Sequence, residues 1–205
     1  MDNQQFNKEK LDIKQKRKQS AKDTILLYLH DFAFWLSGIL LIFMLLFRVV
    51  VVSGPSMNDT LINGDYLLIL NSFIAGEPQQ GDVVVVGMQS YKNGEPIIKR
   101  VIATEGQWVD IDFDAGIVYV NGNPQDEPYT KTPTNLFEGV DFPLMVEEGC
   151  VFVMGDNRNE SKDSRSVEIG QVDKREILGK AIFLFLPAKD PVTSQVQFNR
   201  IGVIS

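Results

Sequence analysis

Two residue types that carry much of protein chemistry are nearly missing from this 205-residue chain, which has one His, His30, and one Cys, Cys150. A Cys/His zinc site takes about four such ligands, so none can be assembled, and no other pattern calls for a metal or a cofactor. A lone Cys closes no internal disulfide; stability must come from a packed core, in which Cys150 reads as a small hydrophobe. Any Ser-His-Asp triad would have to be built on His30. Net positive charge is lacking as well: the formal charge is −7, so a nucleic-acid ligand is not expected. No internal repeat is visible. No Ser has a Lys three residues on, which sets aside the penicillin-recognising hydrolases.

Long apolar runs are scarce, and the single one is informative. Phe32–Phe47 holds no charge, and after Arg48 the run continues through Val49–Val52. As a helix these 21 residues would span ~30 Å, about the thickness of a hydrocarbon core, with Arg48 snorkelling to the interface. Upstream, Lys14, Lys16, Arg17, Lys18 and Lys22 form a basic cluster with no acid between them. Basic residues beside a spanning helix stay cytoplasmic. Residues 1–31 therefore read as a cytoplasmic tail, 32–52 as the anchor, 53–188 as an outer domain and 189–205 as a C-terminal tail. A cleaved signal peptide has a shorter apolar core and a small-x-small site; here bulky valines follow. A helix apolar on every face has little place inside so small a domain. The topology separates His30 from the outer domain and so removes the triad.

The outer domain has β texture. G-D-V-V-V-V-G ends at Gly87, P-I-I-K-R-V-I-A spans Pro96–Ala103, G-I-V-Y-V spans Gly116–Val120, C-V-F-V-M spans Cys150–Met154 and A-I-F-L-F-L spans Ala181–Leu186. These are short β-branched and aromatic runs bounded by Gly, Asn, Asp and Pro, and Asn121-Gly122 is a hairpin signal. Asn121–Asp141, rich in Pro, Thr and acids, reads as a loop-like excursion. The expectation is a mainly β, antiparallel sheet domain behind one N-terminal transmembrane helix.

Three segments could hold chemistry. In Ser53-Gly54-Pro55-Ser56-Met57-Asn58-Asp59-Thr60-Leu61, Gly and Pro force an irregular backbone that can present the Ser56 hydroxyl; by itself such a Ser is more often simply a turn residue. Lys99 sits among apolar residues, and alternation puts Ile97, Lys99 and Val101 on one face of a strand. Lost hydration there favours the neutral amine, which can act as a base; the competing reading is a lysine that protects a sheet edge. Lys180 is the next candidate base. The third segment, Gly155–Arg165, is entirely polar, suited either to a solvated loop or to a hydrogen-bonded shell that orients a catalytic group.

In this order behind an anchor, S-G-P-S-M-N-D-T-L, G-D-Y-L-L-I, G-D-V-V-V-V, I-I-K-R-V-I-A and G-D-N-R-N-E-S-K-D-S-R resemble the type I signal peptidases, in their Gram-positive form, over residues 32–187. The resemblance implies a Ser–Lys dyad protease, with Ser56 as nucleophile and Lys99 as general base. It makes Ser161 a hydroxyl that hydrogen-bonds the lysine, and Asp163 and Arg165 a supporting ion pair, with Asp156 in the same block. The backbone N–H of Ser56 would hold the oxyanion; Gly54 stands where some members carry an assisting Ser. Val52, Met57, Leu61, Ile97 and Ile98 would form shallow substrate pockets. Implied partners are the signal peptides of exported preproteins, the lipid bilayer and the export machinery, with the catalytic domain outside the cell membrane. Glu105-Gly106-Gln107 replaces the family's P-G-D turn, and Asp59 its Pro.

Overall fold

The fold is taken from a computed structural model that describes residues 3–190 and 193–204. The chain divides into two units, one up to Leu45 and one from Leu46 onward. The first is a single helix, α1, Asn3–Leu46. Its Lys22–Leu46 stretch is the one helix among the described residues that is long and apolar enough to cross a membrane, and none of it is buried. Lys14 and Lys22 are exposed, while the side chains of Lys16, Arg17 and Lys18 lie outside the description.

The helix ends at Leu46, six residues before the apolar run does at Val52. Phe47–Val51 is strand β1, paired antiparallel with β2, Tyr66–Asn71, in a register that sets Val49 opposite Leu68. A β-branched run is stiff at χ1 and suits a pleated sheet, and apolarity alone does not separate strand from helix. A single turn, α2, Ser72–Ala75, follows β2. Then come β3, Val83–Val86; β4, Ile97–Thr104; β5, Trp108–Asp112; and β6, Ile117–Val120. The remaining strands are β7, Asn123–Pro124; β8, Leu144–Met145; β9, Cys150–Met154; β10, Val172–Asp173; β11, Ile177–Leu186; and β12, Gly202–Val203.

All pairings are antiparallel. One sheet runs β1-β2-β11-β3-β4-β9-β10, with β12 also on β11; a smaller one runs β7-β6-β5-β8. The strands read from sequence recur as β3, β4, β6, β9 and the second half of β11. Asn121-Gly122 makes the β6–β7 turn with both φ values positive, 52° and 77°, which Asn and Gly tolerate best. Beyond β11 come a bridge between Lys189 and Val196, a short 3-10 turn at Phe198–Arg200 and β12.

Alternation along β4 distributes the core. Ile97 and Val101 pack with Val84, Val86 and Val153. Ile98 joins Val52, Met57, Leu61, Leu67 and Val83. Ile102 meets Val109, Val118 and Phe152 between the two sheets. Each such fully buried aliphatic or aromatic side chain contributes roughly 1.5–3 kcal/mol. This packing holds β4 rigidly, and β4 carries the residue on which the site depends.

Candidate active site

Lys99 lies in the middle of β4, opposite Val84 of β3, and only 3% of it is exposed. Ser56 lies on the turn after β1. A 2.8 Å hydrogen bond joins Lys99 Nζ to Ser56 Oγ, across 43 residues of sequence. Sheet pairing makes this meeting possible: β1, β2, β11, β3 and β4 are laid side by side, and Val52 N–H donates to the Asp65 carbonyl to tie down the start of the turn.

The polar segment after β9 wraps the turn from the other side. Asn157 donates its backbone N–H to the Ser56 carbonyl at 3.0 Å and its side-chain Nδ2 to the Pro55 carbonyl at 3.1 Å. The carbonyls of Pro55 and Ser56 are thereby both fixed. The Ser56 N–H itself donates to no protein acceptor among the described residues. Gly155 is packed so closely that a Cβ there would fall 2.4 Å from the Ser56 carbonyl oxygen and 2.2 Å from Ser161 Oγ; any side chain here would force one of them to shift.

Four buried charges support this segment. Asp156 accepts from Arg100 Nε and Nη2 at 2.9 and 2.8 Å and from the Thr60 hydroxyl at 2.6 Å. Arg100 follows Lys99 and points to the opposite face of β4, where Tyr129 stacks 3.9 Å from its guanidinium. Burial first, and Glu127 second, push the Tyr129 phenol well above its ordinary pKa, so it stays neutral. Asp163 accepts from Arg165 at 2.8 and 2.9 Å and from the Gly155 N–H at 2.9 Å. Arg165 also donates to the Arg158 carbonyl at 2.6 Å and the Ser161 carbonyl at 3.3 Å. Ser161 is 2% exposed, and its Oγ has no hydrogen-bond partner among the described residues. The bond to Lys99 that the resemblance implies is not formed here.

Beside Ser56 and Lys99 is a cavity of about 210 Å³, lined also by Pro55, Ile97, Ile98 and Glu160. Of the expected pocket residues, Ile97 and Ile98 line it. Val52, Met57 and Leu61, at most 3% exposed, sit in the core behind the turn. Lys180 is elsewhere: it pairs with Asp82 at 2.5 Å and borders a separate cavity near Phe73.

Residues 25–186 match the family described as signal peptidase, peptidase S26. The chain belongs to the signal peptidase family. Signal peptidase I of Bacillus licheniformis is 36% identical over 156 residues, covering 72% of this chain and 81% of its own. Signal peptidase IB of Staphylococcus aureus is 33% identical over 176 residues, 75% of this chain and 88% of its own. A solved signal peptidase I from Enterococcus faecalis V583 aligns at a TM-score of 0.41, 30% identical, over 51% of this chain and 96% of its own. As a signal peptidase the chain is a serine endopeptidase, a hydrolase.

Several residues of this signal peptidase escape sequence reading. Asn157 holds the carbonyls of Pro55 and Ser56 partly through a backbone amide, which no side-chain pattern reveals. Thr60 grips Asp156, and Glu127 of the excursion grips Arg158 with two bonds of 2.6 Å. The density of polar residues after β9 was the available signal for Asn157; nothing in the excursion singled out Glu127.

Proposed function

We propose that the chain is a membrane-anchored endopeptidase that removes signal peptides from exported preproteins by acyl-enzyme catalysis, with Ser56 as nucleophile and Lys99 as general base. The observation that carries this reading is the 2.8 Å contact between Ser56 Oγ and the amine of a lysine that is 3% exposed. Burial against aliphatic neighbours disfavours the ammonium form, which leaves a lone pair to receive a proton. As Oγ bonds to the scissile carbonyl carbon, the hydroxyl proton passes to Lys99 Nζ. The oxyanion meets the free Ser56 N–H, held in place because Asn157 clamps the carbonyls on either side. The C–N bond then breaks, and Lys99 returns the proton to the leaving amine. Water, deprotonated by the same amine, releases the acyl group. The buried Ser161 hydroxyl beside Gly155 is available to accept a hydrogen bond from Lys99 once it is protonated.

The exposed apolar stretch Lys22–Leu46 supplies the anchor. Its basic N-terminal flank argues for a cytoplasmic N-terminus and an outer catalytic domain. The bilayer and the export machinery would deliver substrates, and an extended peptide would add to the sheet beside Ile97 and Ile98.

The test is incubation of the purified protein in detergent with a precursor-like peptide, the cut bond being read by mass spectrometry. Ser56→Ala and Lys99→Ala should leave the peptide intact while circular dichroism stays unchanged. Lys99→Arg should fail too, because a guanidinium stays charged. Full cleavage by Lys99→Ala would overturn the dyad.

A further inference from the structure

The family match ends at residue 186, yet the chain beyond it returns to the turn that carries Ser56. The Ala188 N–H donates to Asp65 Oδ1 at 2.8 Å. Arg200 donates to Asp65 Oδ2 at 2.6 Å and to Oδ1 at 3.1 Å, and also to the Thr60 carbonyl at 3.2 Å. Asp65 is fully buried and accepts the Ile62 N–H as well, at 2.8 Å. One carboxylate thus collects the end of the nucleophile turn and the C-terminal segment. That segment is held by β12 on β11, by the Ile204 N–H on the Ile182 carbonyl at 3.1 Å, and by Ile204 against the core cluster of Met57 and Leu61.

Thr60 is gripped from two sides. Its hydroxyl is bonded by Asp156 at 2.6 Å and its carbonyl by Arg200. It lies four residues after Ser56, in a coil closed by the Leu61 N–H on the Met57 carbonyl at 2.8 Å. A buried ion pair is weak evidence of net stability, since apolar replacements of similar volume often serve as well. What this pair supplies that apolar packing would not is a directional tie to a backbone carbonyl.

We infer that Arg200 is a positioning residue: through Asp65 and Thr60 it fixes the coil so that Ser56 Oγ stays within bonding distance of Lys99. The segment outside the family match is then part of the working enzyme. This rests on the reading of Ser56 as nucleophile.

The experiment compares the full chain with Arg200→Gln, Arg200→Lys, Asp65→Asn, the Asp65→Asn/Arg200→Gln double variant and an exposed control, Arg175→Gln. Peptide cleavage in detergent is measured well below each melting temperature, with active sites counted by a serine-directed acylating agent. Arg200→Gln should lower kcat about tenfold, in the range expected of a slightly misplaced nucleophile, with KM within about twofold. Arg200→Lys, which keeps the charge but cannot fork, should recover part of it. The double variant should be no worse than either single one, as for residues acting as a unit. Arg175→Gln should match the parent. Amide exchange over residues 57–64 should quicken in Arg200→Gln alone among the two Arg→Gln variants.

A kcat per active site equal to the parent's in Arg200→Gln overturns the inference, whatever the melting temperature or the exchange. If Arg200→Gln fails to fold, Arg200→Lys decides in the same way. A parent chain that leaves the peptide intact overturns the proposed function instead; unchanged exchange over 57–64 would then sink the strap separately.

Discussion

Lys99 and Arg100 are adjacent on β4 and face opposite ways, and their surroundings assign them different work. Lys99 has aliphatic neighbours and a hydroxyl at 2.8 Å. Arg100 has a carboxylate, a carbonyl and an aromatic face, partners suited to a group that never loses its proton. Gly155 shows how little slack remains around them. Gly155→Ala puts a methyl group inside contact distance of both the Ser56 carbonyl and Ser161 Oγ. We expect at least about a hundredfold loss of kcat, the scale of a 1 Å displacement of reacting groups, with an unchanged circular dichroism spectrum. Glu138 is a second case at this scale. Burial first, and the Asp163 carboxylate second, hold its carboxyl above the ordinary range, although Arg165 is 4.0 Å away. The folded protein therefore binds this proton more tightly than the unfolded chain. The charged form costs stability, the cost is complete above the folded pKa, and it vanishes below the ordinary carboxylate range. Glu138→Gln should thus melt higher than the parent at neutral pH. Thermal scans should show the gap closing as pH falls towards about 4, near the ordinary Glu value.

At the scale of elements, the excursion between β6 and β8 is a brace. Glu127 reaches Arg158, a guanidinium with 1% of its side chain exposed, through two bonds of 2.6 Å, and Thr134 adds a third at 2.8 Å. Breaking a buried pair by removing one partner leaves an uncompensated charge and costs about 3–5 kcal/mol. Glu127→Ala should lower the denaturation free energy by that order, measured by urea titration. The same segment marks how far the sequence could be read. Its polar, Pro-rich composition announced irregular backbone, and β3, β4, β6 and β9 were legible because their β-branched runs end in turn residues. β5 was legible in principle, since Trp108–Asp112 alternates exposed and buried. β1 was not: Phe47–Val51 continues an apolar helix without a break in composition, and only pairing with Leu67–Leu70 makes it a strand. In the site, Ser56 and Lys99 stood out by residue type and local setting. Asn157 and Arg200 did not, because their work is done on backbone carbonyls 102 and 140 residues away, and such contacts leave no local trace.

The whole molecule comprises two units of contrasting surface. In α1, Leu26, Leu27, Phe34, Trp35, Leu40 and Leu41 are all largely exposed. The 25 residues from Lys22 to Leu46 make a rod of about 37 Å at 1.5 Å per residue, slightly more than a hydrocarbon core of ~30 Å. The β unit has its own three core clusters, and every group of the candidate site belongs to it. The proposed chemistry and the proposed anchoring are therefore separable by experiment. Residues 47–205 alone, which keep β1 paired with β2, should cleave a short peptide in detergent with a kcat within a few-fold of the full chain. Against a precursor embedded in vesicles the shortened protein should be slower by about 10²-fold, because sharing a bilayer raises the effective concentration of enzyme and substrate by that order or more. Rates on the two substrates, measured side by side, distinguish this from damage to the site. An equal loss on both would mean that α1 supports the catalytic unit directly, and no loss on either would remove the anchor from the mechanism.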